Sequence, residues 1–277
     1  MVDKIGICVS TCDRLDYLKK CVDSLSGVDA VLCVCNDGAE SVDDVVPSNA
    51  KVLKTDKPRS GISINKNLGL KYLLEQDCDY FFLIEDDCFV KDTSVFERYI
   101  DASKKTGIQH FNYGPGTPFN RKQNVEFDLH NRDSLDQSAE PNPRTIIDYG
   151  DIKIPLYTHI AGMFSFFTRK TLEEVGLMDE DYYNAWEHVD HTYRIIKNKM
   201  HPPFWYFADI ENSEKYLSEH NDAINNSVIS KNNKEWLDGV NKGREIYLQK
   251  HGHYPNQPPQ ISFKEVTEDL KFIKVNN

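Results

Sequence analysis

The stretch Tyr80-Phe81-Phe82-Leu83-Ile84-Glu85-Asp86-Asp87-Cys88 runs five apolar or aromatic side chains straight into three consecutive acids. An apolar run this short, bounded by polar residues, suits a buried strand. Aromatics and Ile favour a pleated, packed surface. Three adjacent carboxylates at the end of such a strand repel one another, and burying them unpaired costs several kcal/mol each. A hard divalent cation with oxygen ligands, Mg²⁺ or Mn²⁺, would resolve the conflict and bring a phosphate-bearing ligand with it. A solvated acidic turn would resolve it too, and both readings stand on this stretch alone.

What precedes the stretch alternates. Lys4 to Ser10 is an apolar run suited to a strand, followed by the polar turn Ser10-Thr11-Cys12-Asp13-Arg14. Leu15, Leu18, Cys21, Val22 and Leu25 then recur at helical spacing, closed by Gly27. Ala30 to Cys35 predicts a second strand, ending in the turn Asn36-Asp37-Gly38. Val52-Leu53 is a short third strand, and Gly61 to Leu74 is helical, with Ile64 and Leu68 on one face. Strand-helix alternation predicts an α/β fold, a mostly parallel central sheet flanked by helices. Ligands in such sheets sit at the carboxyl ends of strands, where Asp13, Asp37 and residues 85–87 fall. There is no Gly-x-Gly-x-x-Gly after the first strand and no Gly-x-x-x-x-Gly-Lys-Ser/Thr anywhere, which argues against a dinucleotide site and a P-loop.

The order of these pieces resembles the inverting family 2 glycosyltransferases with the GT-A fold. Four segments carry the resemblance: Ser10 to Arg14, the turn Asn36-Asp37-Gly38-Ala39, the run Gly61-Ile62-Ser63-Ile64-Asn65-Lys66-Asn67-Leu68-Gly69, and Glu85-Asp86-Asp87 in the place of an Asp-x-Asp metal motif. The resemblance implies a Rossmann-like nucleotide-binding half followed by an acceptor half. It places Ser10, Thr11, Cys12, Arg14, Asp37, Lys66 and Asp86 around a nucleotide-sugar, with a UDP-sugar the expected donor. It gives Asp87, with Glu85 and a downstream His220, to Mn²⁺ or Mg²⁺. A divalent cation would neutralise the charge that develops on a diphosphate leaving group.

The second half holds a helix signal at Asp92 to Lys105, with Asp92 or Thr93 as cap, and a strand at Gln109 to Tyr113. Residues 114–144 read as a long polar loop, with periodicity only at Val125 to Leu129. Gly162 among aromatics suggests close backbone approach. Thr171 to Glu174 reads as a capping box for a short helix ended by Gly176. A second chemical group follows in Trp186-Glu187-His188-Val189-Asp190-His191. On a helix Glu187 shares a face with Asp190 and His191, while His188 lies off that stripe. The group suits acid/base work; the plain alternative is a solvated helix start with pairs worth about 0.3–0.5 kcal/mol each. In the resembled family the residue after the Glu is an Asp that deprotonates the acceptor, and here it is His188. The base is then Glu187 or His188, with Glu187 preferred because a carboxylate can also orient a hydroxyl. Asp190 completes the candidate catalytic set, although holding the helix in place is the role that suits Asp190 and Arg194 better. Trp186 and Tyr183 are candidate acceptor contacts. Phe204 to Phe207 reads as a strand and Trp236 to Tyr247 as a helix.

Composition narrows the partners. The chain of 277 residues carries 33 basic and 44 acidic side chains, a net charge of −11, which disfavours duplex nucleic acid and anionic lipid. No apolar run approaches the ~20 residues of a membrane span, and the N-terminus lacks a signal-peptide layout. All seven cysteines lie between Cys8 and Cys88, which reads as reduced core thiols of a cytoplasmic protein. Cys33 and Cys35 would face one side of a strand, without a matching His/Cys set at zinc spacing. The expectation is one domain over 1–254, with a nucleotide-sugar-binding half at 1–90 and an acceptor half at 91–254, followed by a tail at 255–277 packed on the body or partly disordered. It would be a hexosyl- or N-acetylhexosaminyl-transferase acting with inversion on an acceptor hydroxyl, a saccharide or another. A catalytically silent nucleotide or metal-binding module and a nucleotidyltransferase are the alternatives.

Overall fold

The structure is a computed structural model that describes residues 3–124, 135–219 and 233–277. The elements run β1 (Ile5–Thr11), α1 (Leu15–Ser24), β2 (Val31–Asn36), β3 (Lys51–Lys54), α2 (Ile62–Glu75), β4 (Tyr80–Glu85), β5 (Cys88–Val90), α3 (Val95–Thr106) and β6 (His110–Asn112). Then come β7 (Thr145–Asp148), β8 (Lys153–Tyr157), β9 (Phe164–Thr168), α4 (Arg169–Val175), α5 (Glu187–Lys197), β10 (Phe207–Ala208) and β11 (Leu217–Glu219), followed by two helices, α6 (Asn233–His251) and α7 (Phe263–Asn276). The main sheet has the order β3-β2-β1-β4-β9-β6. β3, β2, β1 and β4 are parallel, and β9 is inserted antiparallel between β4 and β6. A mostly parallel sheet under helices is what the alternating pattern predicts.

The strand period of two divides the core. Ile7, Val9, Val34, Phe82, Ile84, Phe164 and Phe166 face one side, which α1, α3 and α7 cover. Cys8, Cys33, Cys35, Phe81, Leu83 and Phe167 face the other, against Leu70 and Leu73 of α2, Leu172 of α4 and Ile195 of α5. The segment 255–277, read as a tail, holds α7. Its Ser262 and Glu265 form a reciprocal capping box, and Val266, Leu270 and Ile273 enter the first core.

Some local expectations shift. The cap of α4 is Thr168, whose hydroxyl accepts from the Thr171 amide; Thr171 lies inside the helix and donates to the Gln109 carbonyl, so the capping box read at Thr171 is not formed. α3 starts after Ser94, whose amide donates to Asp92. Of Phe204 to Phe207 only Phe207 is in a strand, because residues 202–206 form a Pro-rich turn. The periodic stretch Val125 to Leu129 lies outside the described residues.

The second core face carries three thiols, because Cys8 of β1 joins Cys33 and Cys35 with all three Sγ atoms within 4.8 Å of one another. All seven cysteines are free. The three thiols fill the space under α2 as small apolar side chains do, and Gly69 leaves them room. A Cβ on Gly69 would lie 2.1 Å from Cys8 Sγ and 2.9 Å from Cys35 Sγ. Gly69→Ala is therefore expected to overpack this face and cost about 1–3 kcal/mol, read as a lower denaturant midpoint at unchanged slope.

Three histidines, His110, His191 and His201, are buried in this region. Burial pushes His110 down to about 4 and the other two well below the usual imidazole range. Each donates or accepts as a neutral ring: His110 bridges the Phe166 carbonyl and the Thr192 hydroxyl. A folded value below the unfolded one means the unfolded chain takes up the proton first. The stability from neutral His110 is complete above about pH 6.5 and is lost as pH falls toward 4. Asp86 and Asp209, raised to about 7 by burial, act in the opposite sense between pH 4 and 7. The test is therefore a difference. Between pH 6.5 and 4, His110→Asn should lose less stability than the unmodified protein, by up to about 3 kcal/mol.

Candidate active site

The carboxyl ends of β1, β2 and β4 meet at one edge of the sheet. Asp13, in a left-handed conformation at φ 53°, accepts from the amides of Ala39 and Glu40 and so fastens the first turn to the second. Asp37 is buried, and its carboxylate accepts from the Thr55 hydroxyl and the amides of Ser60 and Gly61. It thereby shapes residues 55–61 at the edge of the candidate nucleotide pocket. Gly61 opens α2 at φ 124°, which only glycine adopts without strain. From the first turn of α2, Asn65 donates to Ser10 Oγ and to the carbonyls of Thr11 and Cys35. Sequence reading passed over Asn65, since a polar residue in a helix gives no sign of which strand ends it joins. Cys12 Sγ lies near the Asp37 carbonyl, and burial pushes its thiol up to about 11.

The three acids that end β4 diverge, and each meets a cation. Glu85 Oε1 accepts from Lys66 Nζ at 2.7 Å. Asp86 is fully buried; it accepts from the Thr11 hydroxyl at 2.6 Å and is ion-paired with Arg14. Asp87 accepts from Arg14 Nη1 at 3.1 Å through one oxygen, while its Oδ1 is buried without a hydrogen-bond partner. Burial raises Asp86 to about 7 against the pull of Arg14, and Asp87 is raised as well, by burial and then by Glu85. Four carboxylates, Glu85, Asp86, Asp87 and Glu187, thus face two cations, Arg14 and Lys66. The surplus of two negative charges and the unpartnered oxygen of Asp87 suit a divalent cation. Glu219, on β11, pairs with Cys88 and so brings the chain back beside Asp87; His220 lies outside the described residues.

Lys66, expected near the diphosphate or the base of the nucleotide-sugar, is instead buried at 1% exposure between Glu85 and Glu187. Glu187 opens α5, is 2% exposed, and accepts from Lys66 Nζ at 3.0 Å. The same oxygen, Oε1, lies 3.1 Å from His188 Nδ1. Burial alone would raise Glu187, but Lys66 and His188 outweigh it and hold the carboxylate well below its usual range. Glu187 is therefore held ionised with Oε1 turned to internal partners, and the more exposed His188 takes precedence over it as the candidate base. His188 is 24% exposed. With an ionised acceptor 3.1 Å from Nδ1, its ring donates there. Gly162 admits this arrangement: a Cβ there would sit 3.0 Å from His188 Nδ1 and 3.4 Å from Glu85 Oε1. The close approach read from Gly162 is thus to neighbouring side chains, and it places the start of α5 against the end of β4.

The remaining candidates separate. Asp190, read as catalytic, is fully buried and accepts from Arg194, Tyr182 and His251, so its role is to anchor α5 and α6. His251 lies 61 residues away, and no sequence signal joined the two. Trp186, with φ 75°, donates its indole N–H to the Val240 carbonyl, so its ring packs on α6. Tyr183 is exposed at the site's rim, and its hydroxyl donates to the Arg59 carbonyl.

No protein-family model matches the chain. A curated protein, the uncharacterised glycosyltransferase R363 of Acanthamoeba polyphaga mimivirus, is 27% identical over 270 residues, which cover 91% of this chain and 94% of that protein. Among solved structures, S. aureus TarS matches 95% of this chain with a TM-score of 0.50 at 11% identity. The chain spans about half of TarS, 46% of its length. The catalytic domain of Drosophila β1,4-galactosyltransferase 7 in complex with xylobiose matches 82% of this chain and 74% of its own, at 12% identity and TM-score 0.48. The chain has the GT-A glycosyltransferase fold. In this GT-A chain the parallel strands β1, β2 and β4 deliver the acids of the sheet edge, while Gly162 lies just before β9 and His188 follows it on α5. Among the described residues no helix is long and apolar enough to cross a membrane.

Proposed function

We propose that this GT-A chain transfers a sugar from a nucleoside-diphosphate sugar, UDP-linked, to an acceptor hydroxyl in the cytoplasm, by direct displacement with inversion. The observation that carries this reading is the meeting of two chemically distinct groups, the acid end of β4 and the Glu187–His188 pair, on opposite sides of Lys66. The name of the mimivirus relative and the fold shared with TarS support the same class. Ser10 to Arg14 and the loop shaped by Asp37 would line the nucleotide. Asp87, through its unpartnered oxygen, with Glu85 would hold Mn²⁺ or Mg²⁺, which supplies positive charge for the departing diphosphate. His188 Nε2 would accept the proton of the acceptor hydroxyl while Glu187 steadies the imidazolium that forms. Tyr183, exposed beside Arg59 and Gly61, would be an acceptor contact.

Calorimetric titration with UDP, GDP, CDP and dTDP in the presence of Mn²⁺ tests the donor half of this reading. One nucleotide should bind in a metal-dependent way, and Asp87→Ala should abolish that dependence. If none binds with metal present, the reading fails. Binding without release of nucleoside diphosphate from any sugar donor would instead mark a silent module, and pyrophosphate release a nucleotidyltransferase.

A further inference from the structure

Lys66 is a cation with no access to solvent, set between two acids that belong to opposite halves of the chain. Glu85, one of the candidate metal acids, ends β4, and Glu187 begins α5. We propose that Lys66 is a positioning residue that acts through Glu187: it keeps that carboxylate ionised and aimed at His188 Nδ1, so that the imidazole is held in one tautomer with Nε2 open to the acceptor. This deepens the reading of His188 as base and rests on it.

The geometry argues for this in three steps. Lys66 has three N–H donors and two of its bonds are these carboxylates, at 2.7 and 3.0 Å. Its Nζ is therefore occupied within the protein, so the side chain acts on its neighbours. Next, Lys66 and His188 share a single oxygen, Glu187 Oε1. An ionised carboxylate only accepts, so the imidazole must be the donor at Nδ1. A protonated Glu187 could donate, and the ring could then carry its hydrogen on Nε2, where it cannot act as a base. Burial by itself favours the protonated acid, and Lys66, bonded to the same oxygen at 3.0 Å, is with His188 one of the two groups that oppose it. Finally, Gly162 leaves room for this contact: a Cβ there would lie 3.0 Å from His188 Nδ1 and crowd the ring where it meets Glu187. Because Lys66 also binds Glu85, the acids at the donor edge and the base at the acceptor edge share one counter-ion. The family-like run from Gly61 to Gly69 thus supplies a link between the two halves in this chain.

The experiment uses the full chain labelled with ¹⁵N-histidine. His188 resonances, assigned by their loss in His188→Gln, report the tautomer directly, without turnover. The unmodified protein should show His188 as the Nδ1–H form. Lys66→Met should move it to the Nε2–H form or to a mixture, with kcat reduced about tenfold or more and the KM for nucleotide-sugar held within about twofold. If Lys66→Met fails to fold, Lys66→Met with Glu85→Gln keeps the net charge of the cluster by removing the buried cation together with one of its two anions, and leaves Glu187 and His188 in place; the same tautomer shift is expected there. An unchanged Nδ1–H signal in whichever variant folds overturns the proposal. The failure of the underlying reading looks different: His188→Gln would then keep full transfer activity, whatever the tautomer does.

Discussion

His188→Ala should lower turnover by about 10²–10⁴ while nucleotide binding persists. The imidazole sits at the start of α5, oriented through Nδ1 by a buried carboxylate and with its outer edge partly exposed. Alanine removes the more exposed member of the Glu187–His188 pair, 24% against 2%. Steady-state kinetics with the nucleotide-sugar identified by calorimetry provide the check: kcat should fall while the KM for donor is maintained, because the donor edge lies on β1, β2 and β4. A drop confined to KM would mean that His188 binds substrate and that proton transfer rests elsewhere. The same assay on Glu187→Gln separates orientation from chemistry. Gln keeps the shape and loses the charge, so a smaller loss than for His188→Ala is the expected order.

Replacing Lys66 with methionine should cost about 3–5 kcal/mol of stability, a large share of what a domain has. The side chain is fully buried between Glu85 and Glu187, and methionine matches its length without its charge. Glu187 would be left charged and unpaired in the interior or forced to take up a proton, and either state is penalised. Urea unfolding of Lys66→Met, Glu187→Gln and the double variant provides the measurement. The double variant should recover much of the loss, because removing both charges removes the orphan. Purely additive losses would show that the two residues do not interact, and the shared-counter-ion picture would fall with them.

Much of the sheet was legible because its strands are buried on both faces and read as short apolar runs. The acids that follow β1, β2 and β4 were legible as a site because packing has no use for them. What each side chain does there was not. Lys66 looked like a nucleotide-sugar contact from its place in a motif, yet Glu187, 121 residues later, draws it inward. Asp190 could be read as holding its own helix with Arg194, but nothing local announced the histidine on α6 and the tyrosine on the preceding loop that also bind it. These are long-range pairings between charged groups, and local periodicity carries no record of them. Glycines were better witnesses. Gly61, Gly69 and Gly162 were each noticed, and each marks a place where a left-handed turn or a crowded neighbour excludes a side chain. The C-terminal segment was hard to read because α7 buries only one narrow stripe, Val266, Leu270 and Ile273.

The antiparallel insertion of β9 bears on how the molecule could be taken apart. Without β9, β4 would present an unpaired row of backbone donors and acceptors along Tyr80 to Ile84, flanked by bare phenylalanines. A fragment ending near residue 90 would therefore be a sticky ribbon rather than a free-standing nucleotide binder, prone to add strands from its neighbours. The later half of the chain acts as the selvedge of the earlier one, and the two are woven as a single cloth.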